Sequence, residues 1–158
     1  MPVVEKLIKI INRMMEKIEE IKAFSQETYL FVSRLIKQLS PNCELSEEAF
    51  RAIVESSNAH LFVMYDANGT PVSMLTVGLY RTPTGYKAWI EDVVADETCR
   101  GCGYGQKIVE FAIRYLRDAG VNTLSLTSNP SRIAANRLYQ KLGFELYETN
   151  FYKMRFAR

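Results

Sequence analysis

Most of the chemistry legible from residue types alone lies in one segment, Asp96-Glu97-Thr98-Cys99-Arg100-Gly101-Cys102-Gly103-Tyr104-Gly105-Gln106-Lys107. It is expected between a strand and a long helix, where unpaired backbone N–H groups and the helix dipole attract an anion. Its glycines let the backbone approach a phosphate with no Cβ in the way. Three common phosphate loops do not fit. A P-loop ends in Gly-Lys-Ser/Thr, whereas Gly105 is followed by Gln106 and Lys107. A dinucleotide fingerprint needs glycine at 106, and that residue is Gln106. The kinase glycine loop joins two strands, and this one joins a strand to a helix. The same segment carries Cys99-x-x-Cys102. Zinc would want four ligands, and only Cys43 and His60 remain as sulfur or imidazole partners. A redox pair would put its first cysteine at a helix N-terminus, but Cys99 lies upstream of the glycines. The Cys spacing is read as coincidence, and no metal site is expected.

These residues need elements to position them. From Val4, apolar Leu7, Ile11, Met14, Ile18 and Ile21 recur every three or four residues, the stripe of an amphipathic helix. The stretch from Ile18 to Phe24 suits either its continuation or a strand. Ser25 is a plausible N-cap for a helix over Gln26–Leu39, closed by Ser40-Pro41. Ser46-Glu47-Glu48-Ala49 opens a further helix, to about Ser56. The pattern then switches to strands: Leu61–Tyr65, an Asp66-Ala67-Asn68-Gly69 turn, Val72–Tyr80, a second turn, and Tyr86–Ala95, together an antiparallel meander. After the glycine loop come a helix to Ala119-Gly120, a strand over Thr123–Thr127, and a helix from about Ser131 to Leu142. Two final strands are expected, over Phe144–Glu148 and Phe151–Phe156. This is an α/β domain with no low-complexity linker and no internal repeat.

Arg100-x-x-Gly103-x-Gly105, after a strand and before a long helix, resembles the pyrophosphate-binding signature of the GNAT superfamily of acyl-CoA N-acyltransferases, Gln/Arg-x-x-Gly-x-Gly/Ala. Ile90-Glu91-Asp92-Val93-Val94-Ala95 resembles that family's fourth strand. Ala134-Ala135-Asn136-Arg137-Leu138-Tyr139-Gln140-Lys141-Leu142-Gly143-Phe144 resembles its late helix and following strand. The element order matches from Leu61 to Phe156. The resemblance implies a GNAT fold, a mixed and mostly antiparallel sheet flanked by helices. Residues 17–158 would form the N-acetyltransferase domain, and residues 1–16 an added N-terminal helical extension.

The activity implied is acetyl transfer from acetyl-CoA to a primary amine by direct attack in a ternary complex. By the same resemblance, the pantetheine arm would pair with the backbone of Val93, Val94 and Ala95. The pyrophosphate would sit on Arg100, Gly101, Cys102, Gly103, Tyr104, Gly105 and Gln106. Asn136 would reach the pantetheine or the phosphates. Tyr139 would be the general acid for the leaving thiolate. Glu91 is the candidate base, directly or through water, and its neighbour Asp92 should point to the opposite face. Phe24, Tyr29 and Asp92 are candidate acceptor contacts. A ping-pong route through Cys102 or Cys43 has no nearby histidine in the sequence. A second reading keeps the loop without catalysis, as an acyl-CoA-binding regulatory or interaction module.

The charge distribution fits an anionic donor meeting a cationic acceptor. Across 158 residues the formal net charge is only +2. Residues 1–98 carry ten basic and fourteen acidic side chains, and residues 99–158 carry ten and four, so a −4 portion precedes a +6 portion. The basic portion contains the loop that would hold CoA phosphates, so nucleic acid is not required to explain it. No aromatic-plus-basic motif for nucleic acid is present. No apolar run nears the roughly 20 residues of a membrane span. Glu5, Lys6 and Lys9 break up any leader-like stretch, and the odd cysteine count of three suits a reducing compartment, so a cytoplasmic protein is expected. The stripe from Val4 to Ile18 is a candidate homodimer contact.

Overall fold

Five strands form one sheet in the order β1-β2-β3-β4-β5. They are β1 (Lys17–Glu20), β2 (Ala59–Tyr65), β3 (Pro71–Thr82), β4 (Gly85–Ala95) and β5 (Thr123–Ser125). The first four run antiparallel to their neighbours, and β5 joins β4 in parallel. The sheet is accompanied by helices α1 (Gln26–Leu39), α2 (Glu47–Val54), α3 (Tyr104–Asp118) and α4 (Ile133–Lys141). The computed structural model describes residues 15–157 together with Val3, Val4 and Leu7. The chain divides into two compact units, Met1–Thr127 and Ser128–Arg158.

Local chemistry accounts for most element boundaries in the first unit. Ser25 accepts a hydrogen bond from the Thr28 N–H (3.1 Å) and Ser46 from that of Ala49 (3.1 Å), each satisfying an orphan donor of the first turn. The β2–β3 turn is tied by Asp66, whose carboxylate accepts from the N–H groups of Asn68 and Thr70 at 2.9 Å. Gly69 supplies the positive φ of 79° that this turn needs. On one face of the sheet, Phe31, Val32 and Leu35 of α1 and Phe50 and Val54 of α2 pack on Leu61, Val63, Met74 and Val94. On the other, Phe62 meets Phe111 and Tyr115 of α3 edge-on at 5.1 and 5.0 Å. Fully burying each large side chain of these clusters contributes about 1.5–3 kcal/mol.

One open reading is resolved, and one strand is shorter than expected. Of the two readings open for Ile18–Phe24 the strand holds: Lys17–Glu20 is β1, with Ile18 opposite Met64 and Glu20 opposite Phe62. The spacing of Ile18 and Ile21 suits a helix, but the open edge of β2 offers backbone partners, and the ladder prevails over local period. Val3, Val4 and Leu7 are helical; the rest of the expected 1–16 helix lies outside the described residues. Strand β5 ends at Ser125 rather than Thr127, where its register with β4 ends at Trp89.

In the second unit, Asn129 organises the entry to α4. Its carboxamide oxygen accepts from the backbone N–H of Ser131 (2.9 Å) and from the Ser131 hydroxyl (2.8 Å). The helix closes on Gly143 at φ 96°, a left-handed stop that glycine adopts without strain. Neither Phe144–Glu148 nor Phe151–Phe156 joins a β-ladder among the described residues, contrary to expectation. Both segments have strand-like composition, but strand propensity needs a partner's backbone to be realised.

Candidate active site

Strand β4 carries an irregularity that rearranges its side chains. Thr76 pairs with Glu91 and Met74 with Val94, so Leu75 alone faces both Asp92 and Val93. Two residues against one is a β-bulge. Asp92 takes the bend with φ 52°, the only positive φ among the described non-glycine residues. Aspartate tolerates this left-handed region better than most side chains. The bulge corrects the expectation that Glu91 and Asp92 simply alternate: both are exposed, and Glu91 and Val94 fall on one face, that of Met74, α1 and α2. Although open to solvent, Asp92 is crowded enough that desolvation raises its carboxyl above the usual range.

Beyond the bulge the sheet splits. The β4–β5 ladder consists of Lys87↔Thr123, Ala88↔Leu124 and Trp89↔Ser125. No β5 residue stands opposite Val94 or Ala95, which pair on their other side with Met74 and Ser73. A strand edge that stops pairing inside a fold can accept the amides of an extended ligand.

The glycine loop follows at once. A 3₁₀ turn (Glu97–Cys99) leads through Arg100 to Gly101 and Gly103, with φ 83° and 79°. Gly103 caps α3 with no side-chain hydrogen bond, and no acidic residue occupies the helix's first turn. The positive end of the α3 dipole is therefore left without local compensation. Gly105 differs from the other two. Its φ is ordinary, it lies inside the helix, and an added Cβ would meet nothing within 4 Å. Neither backbone strain nor packing calls for glycine there; an approaching ligand would.

Sequence reasoning missed the residues that hold this loop. Asp96, only 3% exposed, takes an ion pair from Arg34 of α1 at 2.6 Å. It also accepts from the Thr98 N–H (3.2 Å), the Thr98 hydroxyl (3.1 Å) and the Gln38 amide (3.4 Å). Gln38 returns a bond, its oxygen accepting from the Glu97 N–H at 3.0 Å. Burial pushes the Asp96 carboxyl up, but the bonds from Thr98, Arg34 and Gln38 outweigh it and hold the group below its ordinary value. The signal was faint: an Arg and a Gln four residues apart on one helix, some sixty residues from their carboxylate.

The candidate acceptor aromatics are already engaged. Phe24, Tyr29 and Phe50 form a ring cluster with centroids 5.7–6.0 Å apart. Arg51 lies 3.7 Å over Phe24, and the Tyr29 hydroxyl donates to the Leu45 carbonyl at 2.9 Å. Their evident work is to tie the α1–α2 connection to the core. Cys99 and Cys102 are free thiols, and among the described residues no group of three His, Cys, Asp or Glu side chains could hold a metal.

In the second unit, Tyr139 is buried and packs edge-on with Phe144 at 5.9 Å. Burial raises its phenol above the usual value, with Arg132 partly opposing, so it stays protonated at neutral pH. Asn136 points its NH₂ at the carbonyls of Asn129 and Arg132, both at 2.9 Å, which gives it a structural duty at the entry to α4. The Ser128 hydroxyl is buried with no partner among the described residues.

A bulged fourth strand, a sheet edge that stops pairing and an uncapped glycine helix start thus follow one another at the end of β4. The model of the acetyltransferase (GNAT) family matches residues 15–144, and the chain belongs to that family. It is an N-acetyltransferase. The uncharacterised N-acetyltransferase YhdJ of Bacillus subtilis (strain 168) is 32% identical over 130 residues, covering 80% of this chain and 89% of the relative. Glucosamine 6-phosphate N-acetyltransferase 1 of Oryza sativa subsp. japonica is 30% identical over 119 residues, 70% of each chain. Among solved structures, a transcriptional regulator from Bacillus halodurans C-125 superposes with a TM-score of 0.75 at 27% identity, covering 89% of this chain and 99% of its own.

Proposed function

We propose that the protein transfers the acetyl group of acetyl-CoA directly to a primary amine held in a ternary complex. The observation that carries this reading is Gly105, a glycine in ordinary helical conformation with open space where its Cβ would be. The backbone from Arg100 to Gln106 would hold the pyrophosphate, and Val93 to Ala95 would pair with the pantetheine amides. The amine attacks only when neutral, yet a free alkylamine has a pKa of about 10. Glu91 takes that proton, directly or through water. The N–H of Val93 or Val94 stabilises the oxyanion that develops as the C–N bond forms. Tyr139 donates its proton to the sulfur as the C–S bond breaks, which suits a thiol of pKa about 8.5 and a phenol held protonated. The acceptor is a small amine or a peptide amine, and the name of the rice relative puts amino sugars first in the panel. CoA release measured with amino sugars, polyamines, amino acids, aminoglycosides and short peptides tests the proposal. Tight acetyl-CoA binding with no acetylation of any acceptor would instead favour the non-catalytic binding module.

A further inference from the structure

The cysteines of the glycine loop are brought together by its own backbone. Cys99 closes the 3₁₀ turn, and the Cys102 N–H donates to the Cys99 carbonyl at 3.3 Å. Between them Arg100 has φ −61° and ψ 143°, and Gly101 has φ 83°. Those angles describe a type II β-turn, with glycine at the position that requires a positive φ. Such a turn holds its first and fourth Cα atoms less than about 7 Å apart, and a disulfide spans about 4.4–6.8 Å between Cα atoms. The pairing of the two cysteines is therefore set by residues 99–102 alone. Both thiols are free, Cys102 exposed and Cys99 half-buried, and the third cysteine, Cys43, lies in the α1–α2 connection.

We propose that Cys99 and Cys102 are a redox modification site, closing to an intrachain disulfide that weakens the hold of the loop on CoA. This rests on the reading of the loop as the pyrophosphate seat. The oxidant is a peroxide. The Cys102 sulfur takes one oxygen of hydrogen peroxide and becomes a sulfenic acid, releasing one water. The Cys99 sulfur then attacks the Cys102 sulfur. The S–S bond forms, the S–O bond breaks, and the oxygen leaves with the Cys99 proton as a second water. Two thiols have lost two electrons and two protons, and one peroxide has become two waters. A dithiol returns those electrons and protons by exchange and is left as its own disulfide. The bond needs the two Cβ atoms about 3.5–4.5 Å apart, so it ties the turn across its open end. Cys102 belongs to the backbone that would hold the pyrophosphate, and Gly103 caps α3 directly after it. Drawing Cys102 toward Cys99 shifts the start of that cradle.

The full-length Cys43→Ser protein, which keeps only Cys99 and Cys102, is treated with hydrogen peroxide and compared with its reduced form. Peptide mapping should find a 99–102 disulfide. Acetyl-CoA is the probe because it has no free thiol to reopen the bond. Its dissociation constant, read by calorimetric titration, should rise about tenfold or more on oxidation and return with dithiothreitol. Cys99→Ser in the same background should bind as the reduced protein does and lose less than about twofold on oxidation. No 99–102 link, or a link with unchanged affinity, overturns the proposal. So does an equal loss in Cys99→Ser, since oxidation of Cys102 alone would then act. Failure of the loop reading looks different. If the reduced protein binds no acetyl-CoA, or binds it with no response to Gly105→Ala, the loop is not the pyrophosphate seat and the switch falls with it. An affinity that responds to Gly105→Ala but not to the disulfide overturns the switch alone. Circular dichroism checks each form's fold. If Cys43→Ser does not fold, the wild type is used, and mapping separates the 99–102 link from any through Cys43.

Discussion

Replacing Gly105 by alanine separates what the fold needs from what a ligand needs. Gly105 lies in the first turn of α3 with ordinary φ, and a Cβ there has no protein atom within 4 Å. The substitution should therefore stabilise the protein by up to about 0.5–1 kcal/mol, the difference between glycine and alanine in a helix. For a chain of this size that raises the melting temperature by about 2–4 °C. Gly103→Ala provides the contrast. At φ 79° a Cβ is strained, and a loss of about 1–2 kcal/mol is expected. If a pyrophosphate rests on the α3 start, the methyl group added at position 105 takes up space the ligand needs. The dissociation constant for CoA should then rise at least tenfold, a cost of about 1.4 kcal/mol or more. Differential scanning fluorimetry and calorimetric titration with CoA read the two effects separately. Unchanged CoA affinity in a stabilised Gly105→Ala protein would refute the assignment of this loop.

Asp96→Ala removes a nearly buried carboxylate with several donors around it. With the half-exposed Arg34 discounted for solvent screening, a loss of about 2–3 kcal/mol is expected by chemical denaturation. Asp96→Asn keeps an acceptor for Thr98 and should lose about half as much. The folded-state pKa values of Asp96 and Glu20 are depressed, Glu20 because hydrogen bonds from His60 and Lys22 outweigh its burial. Their contribution is thus fully present above the ordinary carboxylate range of about 4 and is lost as pH falls through the lower folded values. Melting temperature should stay level from neutrality to about pH 5 and drop below about 4, less steeply in Asp96→Asn. Tyr139→Phe keeps the ring against Phe144 and removes only the hydroxyl. The kcat should fall by about 10² or more with KM for acetyl-CoA little changed, as steady-state assays would read.

The elements legible from sequence were those whose causes are local. Ser25 and Ser46 mark helix starts by their own hydroxyls, and Asp66-Ala67-Asn68-Gly69 makes a turn from its own side chain and glycine. The glycine loop was legible because its spacing differs from other phosphate loops. What escaped depended on distant backbone. The choice between helix and strand at Ile18–Phe24 was left open because it is decided by the open edge of β2, and the β4 bulge arises in register with β3 and leaves no mark in composition. The Arg34–Gln38–Asp96 clamp joins α1 to the loop after β4, and no local pattern pairs them. The last two strands, read from strand-like composition and the family's element order, join no ladder among the described residues.

The bulge at Asp92-Val93 makes β4 a strand with two phases. Before it, inward positions fall at Ala88 and Ile90; after it, the core-facing residue is Val94, three steps from Glu91 on the same face. Deleting one residue at 92 or 93 would leave two steps between Glu91 and Val94, so regular alternation would keep Val94 opposite Met74 while the bulge and its bend were lost. Such a deletion would leave composition, hydrophobicity and the core-facing residues almost unchanged and still remove the bend at Asp92 that precedes Val94 and Ala95. The length of this strand is therefore as much a part of the site as any of its side chains.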